Sequence, residues 1–218
     1  KLTYQVGIDI DSIWNLKQVT HRFPQLTALK ASGDLNWIGN IHFKHYFSGG
    51  NETRVTLNSA TQGVTSNLPP PFNKNALQSW ATTVSIFADD DSSTVKLNID
   101  DKLALVGLLD YSKKSLKIPY YSVTIGSDKL GYIEKNKHVI KIKLDNLNFT
   151  NWYDEWMAWN GNSPTDANSS TALPSLESDE ILVDVKHGVL FQQPLTALKM
   201  DFLNDKAKWT GKLNANNL

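Results

Sequence analysis

The stretch Val95-Lys96-Leu97-Asn98-Ile99-Asp100-Asp101-Lys102-Leu103-Ala104-Leu105-Val106-Gly107-Leu108-Leu109-Asp110 decides the fold. In its first half Val95, Leu97 and Ile99 alternate with Lys96 and Asn98. That beat of two marks a strand with one dry face and one wet face. Asp100-Asp101 supplies a tight polar turn, and a second strand begins at Leu103. There the pattern changes. Leu103, Leu105 and Leu109 point one way while Ala104, Val106 and Leu108 point the other, so both faces are apolar. Two arrangements produce such a strand: a central strand covered on both sides, as in a sandwich or beneath a helix, or a curved sheet whose concave face holds a greasy ligand. The residues leave both open.

The same period runs outward in both directions. It returns in Val55 and Leu57, in Val84 and Ile86, in Tyr121, Val123 and Ile125, and in Ile140, Ile142 and Leu144. It appears again in Ile181, Val183 and Val185, and in Leu198, Met200 and Phe202. Polar clusters at Asp89–Ser93, Ser112–Lys114, Gly126–Asp128 and Glu134–Lys137 punctuate these runs. Connections this short require antiparallel neighbours, so residues 80–149 read as an antiparallel meander of roughly six strands. The run Asn67-Leu68-Pro69-Pro70-Pro71-Phe72 lacks three consecutive backbone donors and reads as a crossing loop or edge segment. Thr150 or Asn151 is expected to cap a short helix over 152–159, with Asp154 and Glu155 in its first turn and Trp152, Trp156 and Trp159 along one face. Residues 160–178, rich in Ser, Thr, Asn, Pro and Gly, read as a flexible loop, and strands resume near Glu180.

Composition excludes several classes. The 218 residues carry 22 basic and 22 acidic side chains and no cysteine. Disulfide frameworks, zinc ribbons, iron–sulfur clusters and cysteine nucleophiles are therefore ruled out. A neutral chain with only Arg22 and Arg54 among its guanidinium groups does not suit nucleic acid as a partner. The longest apolar run, 103–109, is far below the ~20 residues of a membrane helix. The chain opens on Lys1 without a leader, and 209–218 looks like a strand interrupted in mid-pattern, so it reads as a piece of something longer.

The search for catalysis returns nothing specific. Of five histidines only His42 and His45 are close, and that spacing puts them on opposite faces of a strand. Asp89-Asp90-Asp91 lacks the Gly and Glu of a calcium loop and reads as a solvated turn. Asp9 and Asp11 share one strand face as an exposed pair. Gly-x-Ser-x-Gly and glycine-rich phosphate loops are absent from the sequence. No enzyme activity, metal or cofactor is expected. The tryptophans admit two readings: Trp14, Trp37, Trp80 and Trp209 as packers on the sheet, or aromatic platforms for a sugar.

One segment carries a resemblance. Gly63-Val64-Thr65-Ser66-Asn67-Leu68-Pro69-Pro70-Pro71-Phe72-Asn73-Lys74 resembles the G-v-x-x-x-L-P-x-P-x-x-K signature of large periplasmic AsmA-like proteins of the YhdP type, with Gly63, Leu68, Pro69, Pro71 and Lys74 at the motif positions. Trp37-Ile38-Gly39-Asn40 and Val55-Thr56-Leu57-Asn58-Ser59 upstream fit the same context. Leu147-Asn148-Phe149 before Trp152, and Val189-Leu190-Phe191-Gln192-Gln193-Pro194-Leu195, are similar to that family's strand-to-helix and closing-strand elements. The similarity covers the chain from about Leu35 onward.

The resemblance implies an all-β fold: an elongated, twisted, mainly antiparallel sheet curved into a taco-like groove, with one short helix near 151–159. It implies that residues 1–218 form a single groove segment of a longer periplasmic protein, tethered to the inner membrane by a segment outside the chain. The implied role is bridge-like transport of phospholipids between inner and outer membrane, which supports the permeability barrier. The partners are then phospholipid acyl chains and the two membranes. Candidate groove residues are Leu103, Leu105, Val123, Ile125, Ile140, Ile142 and Leu144. The alternative is a non-catalytic β domain that binds glycans or proteins at the cell envelope.

Overall fold

The computed structural model describes residues 2–113, 116–126, 136–161, 178–190, 192–205 and 208–216, with the backbone alone for residues 25, 156 and 158–161. The chain begins with β1 (Thr3–Asn15), α1 (Leu16–Arg22) and a 3-10 turn at Pro24–Leu29. There follow β2 (Ala31–Ser32), β3 (Asp34–Tyr46), β4 (Asn51–Ser59), β5 (Thr65–Asn67) and β6 (Asn73–Lys74). The middle of the chain is β7 (Thr82–Ala88), β8 (Ser92–Ile99), β9 (Leu103–Asp110), β10 (Lys117–Gly126) and β11 (His138–Asn148). It closes with α2 (Phe149–Gly161), β12 (Glu180–Leu190), β13 (Gln193–Asp205) and β14 (Lys208–Asn216).

Eleven strands form one open sheet in the order β1-β3-β4-β7-β8-β9-β10-β11-β12-β13-β14, and β2, β5 and β6 form a separate small sheet. Sequence neighbours are sheet neighbours almost throughout, because turns such as Asp100–Asp101 are too short to cross over. Asp100 adopts a left-handed conformation in that turn, at φ 46°, a conformation Asp tolerates better than most residues.

The antiparallel meander expected over 80–149 needs correction. β10 runs parallel to β11, and β11 runs parallel to β12. A parallel pair needs a crossover from one end of the sheet to the other, and the segments between these strands, 127–137 and 149–179, supply it. Five strands are described in that stretch. The polar clusters at Gly126–Asp128 and Glu134–Lys137 are expected to turn about a sixth strand, and residues 127–135 lie outside the described residues. Most of the expected loop at 160–178 does too, since 162–177 are not described.

The helices also differ from expectation. Among the described residues there are two, α1 and α2. α2 starts at Phe149, and Asn148 caps it: its side-chain oxygen accepts from the backbone N–H groups of Thr150 at 3.0 Å and Asn151 at 3.3 Å. Asn148 also ends β11, so a residue read as strand serves as the cap. α1 is capped in the same way by Asn15, whose Oδ1 accepts from the N–H of Gln18.

Both described helices and the small sheet gather at one rim. The ends of β1, β4, β8, β10, β11 and β12 and the starts of β3, β7, β9 and β13 lie together, as the antiparallel and parallel pairings require. α1, the small sheet, the proline loop and the start of α2 all spring from that rim.

Candidate functional site

Register decides which side chains share a face. Leu105 stands beside Leu97 on one side and Val123 on the other, and the row continues through Ile140, Ile181 and Phe202. The next row runs Ile99, Leu103, Ile125, Ile142, Val183, Met200 and Leu213. Toward the first edge, Val84 and Ile86 lead to Leu57 and Val55, then to Gly39 and Ile41, then to Ile10 and Ile8. The seven residues Leu103, Leu105, Val123, Ile125, Ile140, Ile142 and Leu144 thus fall on one face of three adjacent strands.

That face is apolar across all eleven strands. Among the described residues of the ladder, every Asp, Glu, Lys and Arg lies on the opposite side, including Asp9, Asp11, Arg54, Lys96, Lys141, Lys143, Asp184 and Lys199. Among the described residues the titratable groups on the apolar face are tyrosines and histidines, His45 and His138 among them, near the rim opposite the helices. Trp14 and Trp37 belong to it too, packed edge to face at 5.8 Å, with Trp37 buried and Trp14 half exposed. Ten interstrand steps of ~4.8 Å would make this wall about 48 Å long if it were flat.

The wall is open over much of its area. Leu97, Leu103, Leu105, Val123, Ile125, Ile140 and Ile142 are all only half buried. The ambiguous strand β9 resolves in an unexpected sense. Its back residues Ala104 and Val106 are the buried ones, together with Ser122, Thr124 and Val139 beside them. Its front residues Leu103 and Leu105 face the open wall.

At β11–β13 the wall becomes covered. Val183, Val185, Leu198, Leu147 and Leu195 form a buried cluster, with Phe149 and Trp152 of α2 packed against it. Simple alternation would send Leu147 to the opposite side from Leu144. The ladder, however, omits the pairs Asp145–Lys186 and Lys186–Ala197, and Ala197 takes a left-handed φ of 52°. All three strands slip by one residue at that level, so Leu147, Gly188 and Leu195 return to the covered side. The outward residues left at the slip, Asp145 and Lys186, pair at 2.6 Å. Sequence reasoning missed this step, although it left a signal. Leu144-Asp-Asn-Leu147, Val185-Lys-His-Gly188 and Leu195-Thr-Ala-Leu198 each space the inward residues by three instead of two.

The motif residues Gly63, Leu68, Pro69, Pro71 and Lys74 are not on the wall. They build the rim unit. Lys74 is 4% exposed. Its ammonium donates to the carbonyls of Thr61 at 2.9 Å, Val64 at 2.8 Å, Asn75 at 3.2 Å and Gln78 at 2.7 Å. Its Nζ also lies 5.6 Å from the centre of the Trp80 ring. Among the described residues no carboxylate shares this cage, and burial pushes the Lys74 ammonium below its usual pKa. Gly63 takes φ 87°, and its carbonyl lies so close to Gly33, itself at φ 111°, that a Cβ on Gly33 would collide with it. Leu68 is buried, and Pro69 accepts from the N–H of Phe72 at 3.0 Å to close the proline loop. A buried lysine satisfied by main-chain oxygens explains why a charged residue stands in an otherwise structural motif.

At the opposite rim, Tyr121, His138, Ser178 and Asp179 form a polar cluster. His138 places Nδ1 3.0 Å from Asp179 and Nε2 2.8 Å from the Ile118 carbonyl, while the Ser178 hydroxyl meets the Tyr121 hydroxyl at 2.9 Å. Both ring nitrogens are engaged away from Ser178, so the geometry is that of a latch between β10, β11 and the start of β12. Burial raises the Tyr121 pKa.

No described helix is long and apolar enough to cross a membrane. No curated protein and no solved structure matches the chain. A family model described as "YhdP protein" matches residues 1–218, which extends the similarity seen from Leu35 to the first residue and takes in β1 and α1. With its signature residues assembled into one rim unit and the match spanning every strand of the sheet, the chain belongs to the YhdP family.

Proposed function

We propose that the chain is a segment of a lipid conduit in which phospholipid acyl chains lie against the apolar wall. The observation that carries this reading is the charge-free, half-exposed face of an eleven-stranded sheet in a chain that is 20% charged. Each methylene left in water costs about 0.8 kcal/mol, so a long acyl chain crossing an aqueous space meets a barrier on the order of 10 kcal/mol. A continuous greasy surface removes most of it. A wall without a tight polar pocket lets chains slide instead of fixing them.

In this reading the whole protein lies in the periplasm, tethered to the inner membrane by a segment beyond these residues. It carries phospholipid between inner and outer membrane and supports the outer-membrane permeability barrier. Family membership supports a transport role without catalysis. The test is direct: extract the protein gently from the envelope and identify bound lipids by mass spectrometry. Phospholipid is expected in stoichiometric amount, and lipid-free protein from several mild preparations overturns the reading.

A further inference from the structure

Two parts of the chain that the sheet keeps well apart meet at the helical rim. The proline loop belongs to the connection between β4 and β7, whereas α2 follows β11, four places beyond β7 in the sheet. Four places amount to roughly 19 Å along a flat sheet. Yet the indole N–H of Trp152 donates to the Pro70 carbonyl at 2.9 Å, and its ring meets Phe72 edge to face at 6.0 Å. Glu155, three residues on and so on the same side of α2, takes Lys30 in a two-point ion pair at 2.8 and 2.6 Å. Lys30 is itself fixed in a left-handed conformation, with its carbonyl accepting from the N–H of Asn67 at 3.2 Å.

Behind this contact Phe149 lies over Gly188, and with Trp152 it packs against the covered cluster of the wall. Between loop and sheet is a cavity of about 350 Å³, with Pro69, Pro70, Leu147, Gly188, Pro194 and Leu195 in its lining. Leu147 and Leu195 belong to the same cluster as Val183 and Val185, so the cavity continues the wall.

We propose that this junction is a releasable clasp, and that a phospholipid acyl chain joins or leaves the wall at this rim when it opens. The inference rests on the conduit reading above. Its contacts suit opening. The Lys30 side chain is 41% exposed and that of Glu155 15%, so water reaches the pair from the Lys30 side. The sheet ladder on either side has many more bonds and stays shut. Opening lifts Trp152 from the apolar cluster and widens the mouth of the cavity.

The experiment follows transfer of fluorescent NBD-labelled phosphatidylethanolamine from vesicles of phosphatidylethanolamine and phosphatidylglycerol to the whole chain. It compares wild type, Lys30→Glu, Glu155→Lys and the double swap, with circular dichroism confirming equal folding. Each single variant is expected to speed transfer about two- to fivefold, as loss of a partly exposed ion pair implies, and the double swap is expected to restore the wild-type rate. Hydrogen exchange at 149–155 and 67–74, measured without lipid, should rise in the single variants and return in the swap. Transfer to wild type at a rate the single variants do not change overturns the clasp alone. Absence of transfer to every version overturns the conduit and the clasp's gating role together.

Discussion

Ile142 and Val183 are paired directly across β11 and β12, yet Val183 is 8% exposed and Ile142 only half buried. The boundary between open wall and covered core runs between these two side chains. Ile142 packs against the edge of the cluster to which Val183 belongs.

That boundary separates the effects of the same substitution. Ile142→Asp and Leu105→Asp put a charge where water reaches it, so each should cost under ~2 kcal/mol in urea unfolding while abolishing lipid recovery. Val185→Asp places an unpaired charge at a site with no exposure and should unfold the protein outright. Leu198→Ala, also without exposure, should cost about 2–5 kcal/mol. Equal loss of stability in all four variants would show the wall to be an ordinary closed core.

Lys74→Met removes the donor shared by four carbonyls and should cost on the order of 2–4 kcal/mol by chemical denaturation. The pH dependence has a fixed sign. Burial lowers the Lys74 pKa from 10.5 in the folded state, so between the folded value and 10.5 the unfolded chain binds more protons. Stability from this group therefore rises as pH climbs toward 10.5. The difference between wild type and Lys74→Met should widen as pH rises toward 10.5. A constant difference would mean that the ammonium is not desolvated.

Tyr121 gives the opposite slope. Burial raises its pKa above 10.0, with the Ser178 hydrogen bond acting against the shift and the charge of Asp179 adding to it. Above pH 10.0 the folded chain keeps a proton that the unfolded chain loses, so stability from this group falls as pH rises toward the folded value. Tyr121→Phe should flatten that decline and cost about 1 kcal/mol at neutral pH by leaving the Ser178 hydroxyl without its partner. Thermal melts of the two proteins on either side of pH ~10 make the comparison.

Gly33→Ala tests the rim unit by sterics alone. The new Cβ would meet the Gly63 carbonyl at a φ that side chains rarely adopt. A loss of about 2 kcal/mol or more is expected. Gly49→Ala, at a similar φ but with open space around it, should cost only about 1 kcal/mol. Differential scanning calorimetry of the pair isolates the collision from the backbone preference.

The sequence by itself determined the strands, their apolar parity and the turns between β7 and β10, because alternation and turn chemistry are local properties. Val95, Leu97 and Ile99 must share a face whatever stands next to them. It also carried the rim motif, though not the reason for Lys74, whose cage draws carbonyls from positions 61 to 78. The tertiary structure alone decided the rest. That β10, β11 and β12 run parallel depends on crossovers, which leave no mark on a strand's own alternation. That one apolar face is continuous depends on register across all eleven strands. That Leu147 and Leu195 rejoin the covered side depends on three strands slipping together, and a single strand shows only an irregular spacing. Leu105 is half open and Val106 buried for the same reason: exposure is set by what distant segments cover, and no residue can announce that from its own position.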